Sequence, residues 1–147
     1  MTDLTISQRG RNMIKQEEGW RPKVYRDILG KPTIGHGHLV LPEDHIHFDT
    51  ILSPEEGDEL LSKDLQKVYA CIKEHVSVQL NQNEFDALCS FIFNLGCGNF
   101  VKSTLLKKLN AMDLNGAADE FTKWDMAGGQ HNASLRNRRL REQSLFL

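Results

Sequence analysis

The chain has few cysteines and no long apolar run, and each deficit excludes a class of protein. Its three cysteines, Cys71, Cys89 and Cys97, are an odd number without regular spacing, which is not the pattern of a disulfide framework. We therefore expect a protein made in a reducing compartment, with Cys89 as a buried thiol in an apolar run. The longest stretch without Asp, Glu, Lys or Arg covers residues 87–101 and contains Ser, Asn and Gly. It is too short and too polar for a membrane-spanning helix.

The N-terminus and the charge balance exclude two further classes. Residues 1–10 contain no apolar stretch of the signal-peptide type, so the sequence predicts no export route of its own. The net charge of -2 argues against a general nucleic-acid-binding protein. The charge is uneven, since residues 1–40 carry a basic surplus and residues 41–70 an acidic one. A chain of 147 residues, 39% of them hydrophobic, suits one folded domain with a core.

The end of the first helical pattern carries a candidate general acid. Ser7 can cap a helix that ends at Glu18, where Gly19 is a natural helix stop. The negative end of the helix dipole disfavours an ionised carboxylate at this position, which suits a proton donor. From position alone, a solvated glutamate at a helix end is the commoner interpretation.

The segment that follows predicts a small antiparallel ribbon with a second carboxylate. Residues 23–40 alternate short β-type stretches with Gly and Pro, and Leu29-Gly30 is a turn. Asp27 lies there beside Arg26, so we expect its carboxylate to stay ionised. One protonated and one ionised carboxyl group form an acid/base pair, and Thr33 is placed to hold a water molecule beside Asp27.

Two His-x-His pairs raise the question of a metal site. His36 and His38 form one pair and His45 and His47 the other, and such pairs can bind zinc. No cysteine or carboxylate at a fixed spacing supports this interpretation, and the second pair falls in an acidic loop. We therefore predict no metal site.

Glu18, Asp27 and Thr33 are spaced as in a known enzyme family. Eight residues separate the first two and five separate the last two, with Glu18-Gly19 ahead and the run from Thr33 to His38 behind. This pattern resembles the signature of the phage-type lysozymes, glycoside hydrolase family 24: Glu, eight residues, Asp or Cys, five residues, Thr. The resemblance implies that Glu18 is the general acid. It also implies that Asp27 with Thr33 activates the attacking water, with inversion at the sugar carbon.

The resemblance covers nearly the whole chain and is weakest over residues 41–52. It implies that Leu39, Phe93, Asn94 and Ser103 contact the substrate and that His38 has a structural role near the cleft. Sequence alone favours core packing for Phe93.

The last predicted helix carries Arg136, Arg138, Arg139 and Arg141. The resemblance implies that one of these arginines lies near Glu18 and that the others attract the anionic cell wall. A solvated basic face is the simpler alternative, and the sequence does not choose between the four. The chain also has Ser134-Leu135 where many relatives have Gly-Leu, which leaves the start of this helix open.

Helical patterns complete the predicted fold. They cover residues 54–75, from a Ser53-Pro54 start, and then run from an Asn81 cap to Gly96. Three more begin at Ser103, Asp113 and Ser134, and the second of these carries Trp124 before Gly128-Gly129.

The predicted fold is α+β, lysozyme-like and mostly helical, in a single domain over residues 1–147. It has an N-terminal helix 7–18, a ribbon lobe over about 19–55, a connecting helix 54–75 and a helical lobe over about 76–147. The resemblance implies that the glycan binds in a cleft between the lobes.

The sequence thus predicts an endolysin, a lysozyme that hydrolyses the β-1,4 bond between N-acetylmuramic acid and N-acetylglucosamine in peptidoglycan without a cofactor. Because no export signal is evident, we expect it to wait in the host cytoplasm until a holin opens the membrane to the periplasm and cell wall. We also expect a monomer. Three alternatives stay open. A lytic transglycosylase needs the acid but not Asp27 and Thr33, and a non-catalytic wall-binding module is expected to lose one of the three residues. A tail-associated lysozyme is usually fused to structural domains.

Overall fold

A computed structural model describes residues 3–147. Its elements in chain order are α1 (Gln8–Glu18), β1 (Arg21–Arg26), β2 (Pro32–Gly35), β3 (His38–Leu39), α2 (Pro54–His75), α3 (Gln82–Leu95), α4 (Cys97–Lys102), α5 (Thr104–Asn110), α6 (Leu114–Glu120), β4 (Met126–Ala127), β5 (Gln130–His131) and α7 (Ala133–Phe146). The predicted mostly helical α+β class is confirmed. Residues 12–66 form one compact unit, and residues 67–147 with the N-terminal segment up to Arg11 form another. Within residues 3–147, no helix has both the length and the apolar character that crossing a membrane requires.

The unit of residues 12–66 contains a three-stranded antiparallel sheet with strand order β1-β2-β3. Tyr25 pairs with Thr33, and Thr33 pairs with Leu39, so these three side chains stand side by side on one face. Ile34, the next residue of β2, points to the opposite face and is fully buried. The pairing of β1 with β2 shifts in register between Arg21 and Tyr25.

Helix α1 begins and ends as its sequence predicts. Ser7 Oγ accepts a hydrogen bond from the N–H of Gly10 at 3.0 Å, which caps the first turn. Gly19 takes a φ of +79° and donates its N–H to Lys15 O at 2.8 Å. This left-handed residue ends the helix and leaves Glu18 as its last member.

Helix α2 has the predicted bounds of residues 54–75. Its start is a capping box, in which the N–H of Glu56 donates to Ser53 Oγ at 3.1 Å and the N–H of Ser53 donates to Glu56 Oε1 at 2.9 Å. Leu61 and Leu65 on its inner face are buried. The helical period of its apolar residues therefore identifies the buried stripe correctly.

The core of the unit that contains residues 67–147 is aromatic. Phe91 of α3 lies edge-on to Phe100, Phe121 and Trp124, with ring centroids 6.3, 5.3 and 5.9 Å away. Helix α7 packs against α3, and its Phe146 lies 5.4 Å from Phe121, a residue that follows α6. The predicted cap of α3 is confirmed, because Asn81 Oδ1 accepts from the N–H of Glu84 at 2.8 Å.

The helix predicted to run from Asp113 through Trp124 is shorter than expected. Asp113 does cap it, but α6 ends at Glu120 and a single 3₁₀ turn follows over Phe121–Lys123. Trp124, just beyond the 3₁₀ turn, packs edge-on against Phe91, which is consistent with tertiary contacts overriding the local helical pattern. A β4–β5 hairpin then turns through Gly128 and Gly129, both at positive φ.

The predicted cap of the last helix is wrong. Asn132, not Ser134, caps α7, since its Oδ1 accepts from the N–H of Leu135 at 2.9 Å. Both residue types can cap a helix, and the short β5 strand ahead places Asn132 at the position where the chain is still extended.

The cysteine prediction is also wrong in part. Cys71 near the end of α2 and Cys97 at the start of α4 form a disulfide, with their Cα atoms 5.9 Å apart. The sequence separation of 26 residues and the odd count conceal this pair, because α4, which the sequence analysis did not predict, brings Cys97 to α2. Cys89 is a buried free thiol, as expected.

Candidate active site

The carboxyl group of Glu18 lies against the turn between β2 and β3. A Cβ atom added to Gly37 would lie 2.7 Å from Glu18 Oε1, closer than real contacts allow, and 3.2 Å from Glu18 Cδ, which is an unusually tight contact. Gly37 also takes a φ of +75°, which favours glycine. The turn therefore forms a fixed wall beside the candidate acid, and only a residue without a side chain leaves Glu18 its position.

Asp27 organises the turn between β1 and β2. Its Oδ1 accepts from the N–H of Leu29 at 2.9 Å and from the N–H of Lys31 at 2.8 Å. Its own N–H donates to Lys31 O at 2.9 Å, and Gly30 closes the turn at a φ of +79°. The carbonyl oxygen of Asp27 accepts a fourth hydrogen bond from the N–H of Gly30 at 2.8 Å, and Oδ2 takes part in none of the four. A carboxylate held through one oxygen presents the other to whatever binds beside the turn.

Lys31 links Asp27 to Thr33 through its main chain. Its N–H donates to Asp27, and its carbonyl oxygen accepts from Thr33 Oγ1 at 3.0 Å. Thr33 is buried, with 4% of its surface exposed. Because its hydroxyl hydrogen is given to Lys31, the oxygen is left to accept. The two predicted water-binding residues are therefore connected through one residue.

Leu39 lies next to Thr33 in the sheet. The two residues are register partners across β2 and β3, yet Leu39 is 43% exposed whereas Thr33 is buried. An exposed apolar side chain beside a buried hydroxyl is a surface on which a sugar ring can pack.

Tyr25 and Arg21 belong to this region, although the sequence analysis did not select them. The guanidinium carbon of Arg21 lies 4.3 Å from the centroid of the Tyr25 ring. Burial raises the pKa of the Tyr25 phenol; the charges of Glu18 and Asp27 raise it further, and Arg21 opposes them. The strand alternation, with Tyr25 two residues before Asp27, is the sequence signal that points to this tyrosine.

His36 and His38 make separate structural contacts. His36 donates Nδ1–H to Gly19 O at 2.8 Å and packs on Trp20, with ring centroids 4.9 Å apart. His38 is buried, with Nδ1 at 2.8 Å from Asp64 and Nε2 at 2.8 Å from Asp44. The resemblance implied a structural role for His38, and these contacts fit that role. Over residues 3–147, no group of three or more His, Cys, Asp or Glu is arranged to hold a metal ion.

Comparison with known proteins places the chain in a family. The model of the phage lysozyme family matches residues 15–142, a range that includes Glu18, Asp27 and Thr33. The chain belongs to the phage lysozyme family.

Relatives match over nearly the full length. The endolysin of Salmonella phage P22 is 43% identical over 98% of this chain and 99% of its own. The endolysin of Acyrthosiphon pisum secondary endosymbiont phage 1 is 38% identical over 97% of this chain and 98% of its own. A crystal structure of a P22 lysozyme mutant superposes with a TM-score of 0.88 at 42% identity, covering 97% of this chain and 98% of that one.

The resemblance also selects Phe93, Asn94 and Ser103 as substrate contacts, and these three residues lie in the unit that contains residues 67–147. Asn94 Oδ1 accepts a hydrogen bond from Arg139, and Phe93 is half-buried rather than a full core residue. Ser103 caps α5: its Oγ donates to Phe100 O at 2.6 Å and accepts from the N–H of Leu106 at 3.1 Å.

Ser103 also lines a cavity of about 520 Å³. Leu95, Trp124 and Met126 supply apolar surface to this cavity, and Lys102 and Lys123 supply positive charge. Glu120 also lines the cavity and pairs with Lys123. The concavity at the position where the resemblance places a substrate contact is therefore partly apolar and carries charges of both signs.

The arginines of α7 divide into two groups. Arg136 and Arg141 are exposed, but Arg138 and Arg139 are buried. Arg138 Nε lies 3.2 Å and Arg139 Nη1 lies 3.1 Å from the carboxylate of the buried Glu142. A solvated, wall-attracting role is therefore wrong for Arg138 and Arg139, because a buried ion pair presents no charge to solvent.

Proposed function

We propose that this chain is an endolysin with lysozyme activity. It hydrolyses the β-1,4 bond between N-acetylmuramic acid and N-acetylglucosamine in bacterial peptidoglycan. The main support is the fixed arrangement of Asp27 and Thr33 around Lys31, in the same unit as a glutamate held against a glycine wall. The family and the endolysin relatives point in the same direction.

Glu18 serves as the general acid in this proposal. It gives its proton to the oxygen that leaves as the glycosidic bond breaks. Gly37 allows the carboxyl group to stand close to the backbone of the β2–β3 turn, which restricts its movement. A proton donor in a fixed position costs less reorganisation during the reaction.

Asp27 and Thr33 bind and activate the attacking water. Thr33 Oγ1 has given its own hydrogen to Lys31 O, so it accepts one hydrogen of that water. Asp27, held through Oδ1, accepts the other with Oδ2 and takes that proton as the water attacks. The lone pair of the water oxygen then faces the sugar carbon. Direct attack opposite the leaving group inverts the configuration at that carbon.

Leu39, Phe93, Asn94 and Ser103 complete the proposed substrate contacts. Leu39 offers an exposed apolar surface beside Thr33, and Phe93 offers a half-buried ring. The amide of Asn94 is oriented by Arg139, and Ser103 borders the cavity in the second unit. The proposed reaction needs only the acid, the base and a water molecule, and no cofactor takes part in it.

We infer that the protein serves host lysis as a monomer that reaches the wall from the host cytoplasm. A holin that opens the membrane supplies this route in the proposal. Lysis by the chain in cells that express a holin, and none in cells that lack one, is the expected result. Lysis without any membrane-opening protein would contradict the release step and leave the enzymatic proposal standing.

Digestion of purified peptidoglycan tests the enzymatic proposal. We compare the wild type with Glu18→Gln and Asp27→Asn and identify the products by mass spectrometry. Muropeptides with reducing ends from the wild type, and a loss of at least about 100-fold in both variants, are expected. Anhydro-muramic products would mean transglycosylation and remove the water-binding role of Asp27 and Thr33. Wall binding without products from the wild type would mean a non-catalytic module.

A further inference from the structure

Tyr25 stands in the row of side chains that contains the proposed water-binding site. The register of the sheet pairs it with Thr33, and Thr33 is in turn paired with Leu39. Paired residues in adjacent antiparallel strands have Cβ atoms about 5 Å apart and point to the same face. Asp27 comes two residues after Tyr25, so strand alternation carries it toward that face as well. The tyrosine therefore borders both members of the pair that holds the water in the proposed mechanism.

Arg21 holds the ring of Tyr25 from its other side. In a regular strand, residues four apart are separated by about 13 Å, too far for this contact without a change of direction. The register shift between Arg21 and Tyr25 supplies that change, and the guanidinium carbon comes to 4.3 Å from the ring centroid. A stacked guanidinium restricts the ring at low entropic cost because both groups are planar.

The charged groups that act on Tyr25 are Glu18 from the end of α1, Arg21 from β1 and Asp27 from the turn. Burial and the two carboxylates raise the pKa of the phenol, so it keeps its hydrogen throughout the neutral range. No residue among 3–147 bonds the Tyr25 hydroxyl, in contrast to the other tyrosine, Tyr69, whose oxygen accepts from the N–H of Ile6 at 3.1 Å. Tyr25 therefore carries an uncommitted O–H donor in the field of two carboxylates.

We propose that Tyr25, held by Arg21, is a positioning residue that orients Glu18 and Asp27 for their proton transfers. Its hydroxyl donates toward the two carboxylates through a water molecule, which holds their oxygens in place. This inference rests on the proposed function and assigns two residues beyond the three of the family pattern. Tyr25 itself neither gives nor takes a proton in the reaction.

The test is the pH dependence of kcat and kcat/KM on solubilised peptidoglycan for the wild type, Tyr25→Phe and Tyr69→Phe. Loss of the Tyr25 hydroxyl removes a donor to both carboxylates, so both limbs of the profile move to higher pH. We expect each limb to shift by about half a pH unit, which is less than the shift that an opposite charge produces. We also expect kcat to fall about tenfold, less than the roughly 100-fold effect of a group that transfers a proton itself, with KM unchanged.

Tyr69→Phe is the matched control, because it removes the same atom from a structural hydrogen bond. It lowers the melting temperature and leaves the pH profile in place. Arg21→Gln keeps the inference testable if Tyr25→Phe does not fold. Its pH profile should move to higher pH, as for Tyr25→Phe, but by a smaller amount. In the double variant the two effects are less than additive, because both changes act through one ring.

The outcomes separate this inference from the proposed function. An active wild type with a Tyr25→Phe variant of unchanged kcat and unchanged profile overturns the role of Tyr25 alone. A loss of activity that follows the melting temperature in both tyrosine variants, with no movement of the profile, also overturns it. An inactive wild type, or a Glu18→Gln variant as active as the wild type, overturns the proposed function and with it the role of Tyr25.

Discussion

Nδ1 of the buried His38 lies 2.8 Å from Oδ2 of Asp64. This hydrogen bond is the largest cause that raises the pKa of His38; burial opposes it, and a second hydrogen bond to Asp44 adds to it. The two carboxylates on either side of the imidazole therefore favour its charged form, and the His38–Asp64 contact ties β3 to α2 within one unit.

This contact predicts a stability that depends on pH. The pKa of His38 is higher folded than unfolded, so its stabilisation is complete below about 6.5, the unfolded value, and disappears as the pH rises through the folded pKa. Asp64→Asn should lower the free energy of unfolding by about 1.5 to 3 kcal/mol at pH 6 and by less at alkaline pH. Urea unfolding at a series of pH values measures the difference. Asp49→Asn, in an exposed loop, is the control, and an Asp64 effect that is constant across pH would contradict the charge on His38.

The Cys71–Cys97 disulfide predicts a redox-dependent stability. In the chain-entropy account, a cross-link that closes 26 residues stabilises the fold by about 3 kcal/mol. Urea unfolding of the wild type should therefore shift to lower denaturant when dithiothreitol is added. The double variant Cys71→Ala, Cys97→Ala should be insensitive to the reductant. Cys89→Ala, which removes the buried free thiol, should respond to the reductant as the wild type does, and equal curves for the wild type in both conditions would contradict the prediction.

The bounds of α1 and α2 are predictable from the sequence because each has a local signal. Ser7, Gly19 and the Ser53–Glu56 capping box all act on backbone groups within a few residues. Ser7 also donates its N–H and its hydroxyl to the distant Asp86, but the cap that it forms on α1 is local. The turn at Asp27 is local in the same sense, since the aspartate bonds residues two and four positions ahead. The roles assigned to Glu18, Asp27 and Thr33 remain predictions that rest on spacing and resemblance.

Features that depend on distant contacts escape the sequence analysis. The contact between Arg21 and Tyr25 arises from a register shift that only the pairing with β2 defines. The burial of Arg139 depends on the packing of α7 on α3, whereas a basic residue on a polar helix is expected in solvent. The disulfide depends on α4, a six-residue helix too short for a periodic signal.

The wall beside Glu18 predicts that Gly37→Ala is harmful to activity beyond its effect on stability. The new methyl group would lie 2.7 Å from Glu18 Oε1 and displace the carboxyl group. Gly129→Ala is the control, because Gly129 has a similar φ of +80° but no atom within 4 Å of an added Cβ. Both variants should lose about 1 to 2 kcal/mol of stability from the left-handed backbone. Only Gly37→Ala should lose kcat by more than about tenfold, and equal activity in the two would mean that Glu18 does not depend on this wall.

The hydroxyl of Thr33 predicts a sharp difference between two conservative substitutions. Thr33→Val keeps the shape but removes the oxygen that accepts from water and that bonds Lys31 O at 3.0 Å. Its kcat should fall by about 100-fold or more if the oxygen places the attacking water. Thr33→Ser retains the oxygen and should stay within about tenfold of the wild type, with a small loss of stability from the missing methyl group. Steady-state kinetics on solubilised peptidoglycan, with melting temperatures for both variants, measures the two effects separately. A valine variant as active as the serine variant would leave Asp27 alone to hold the water and would exclude Thr33 from the mechanism.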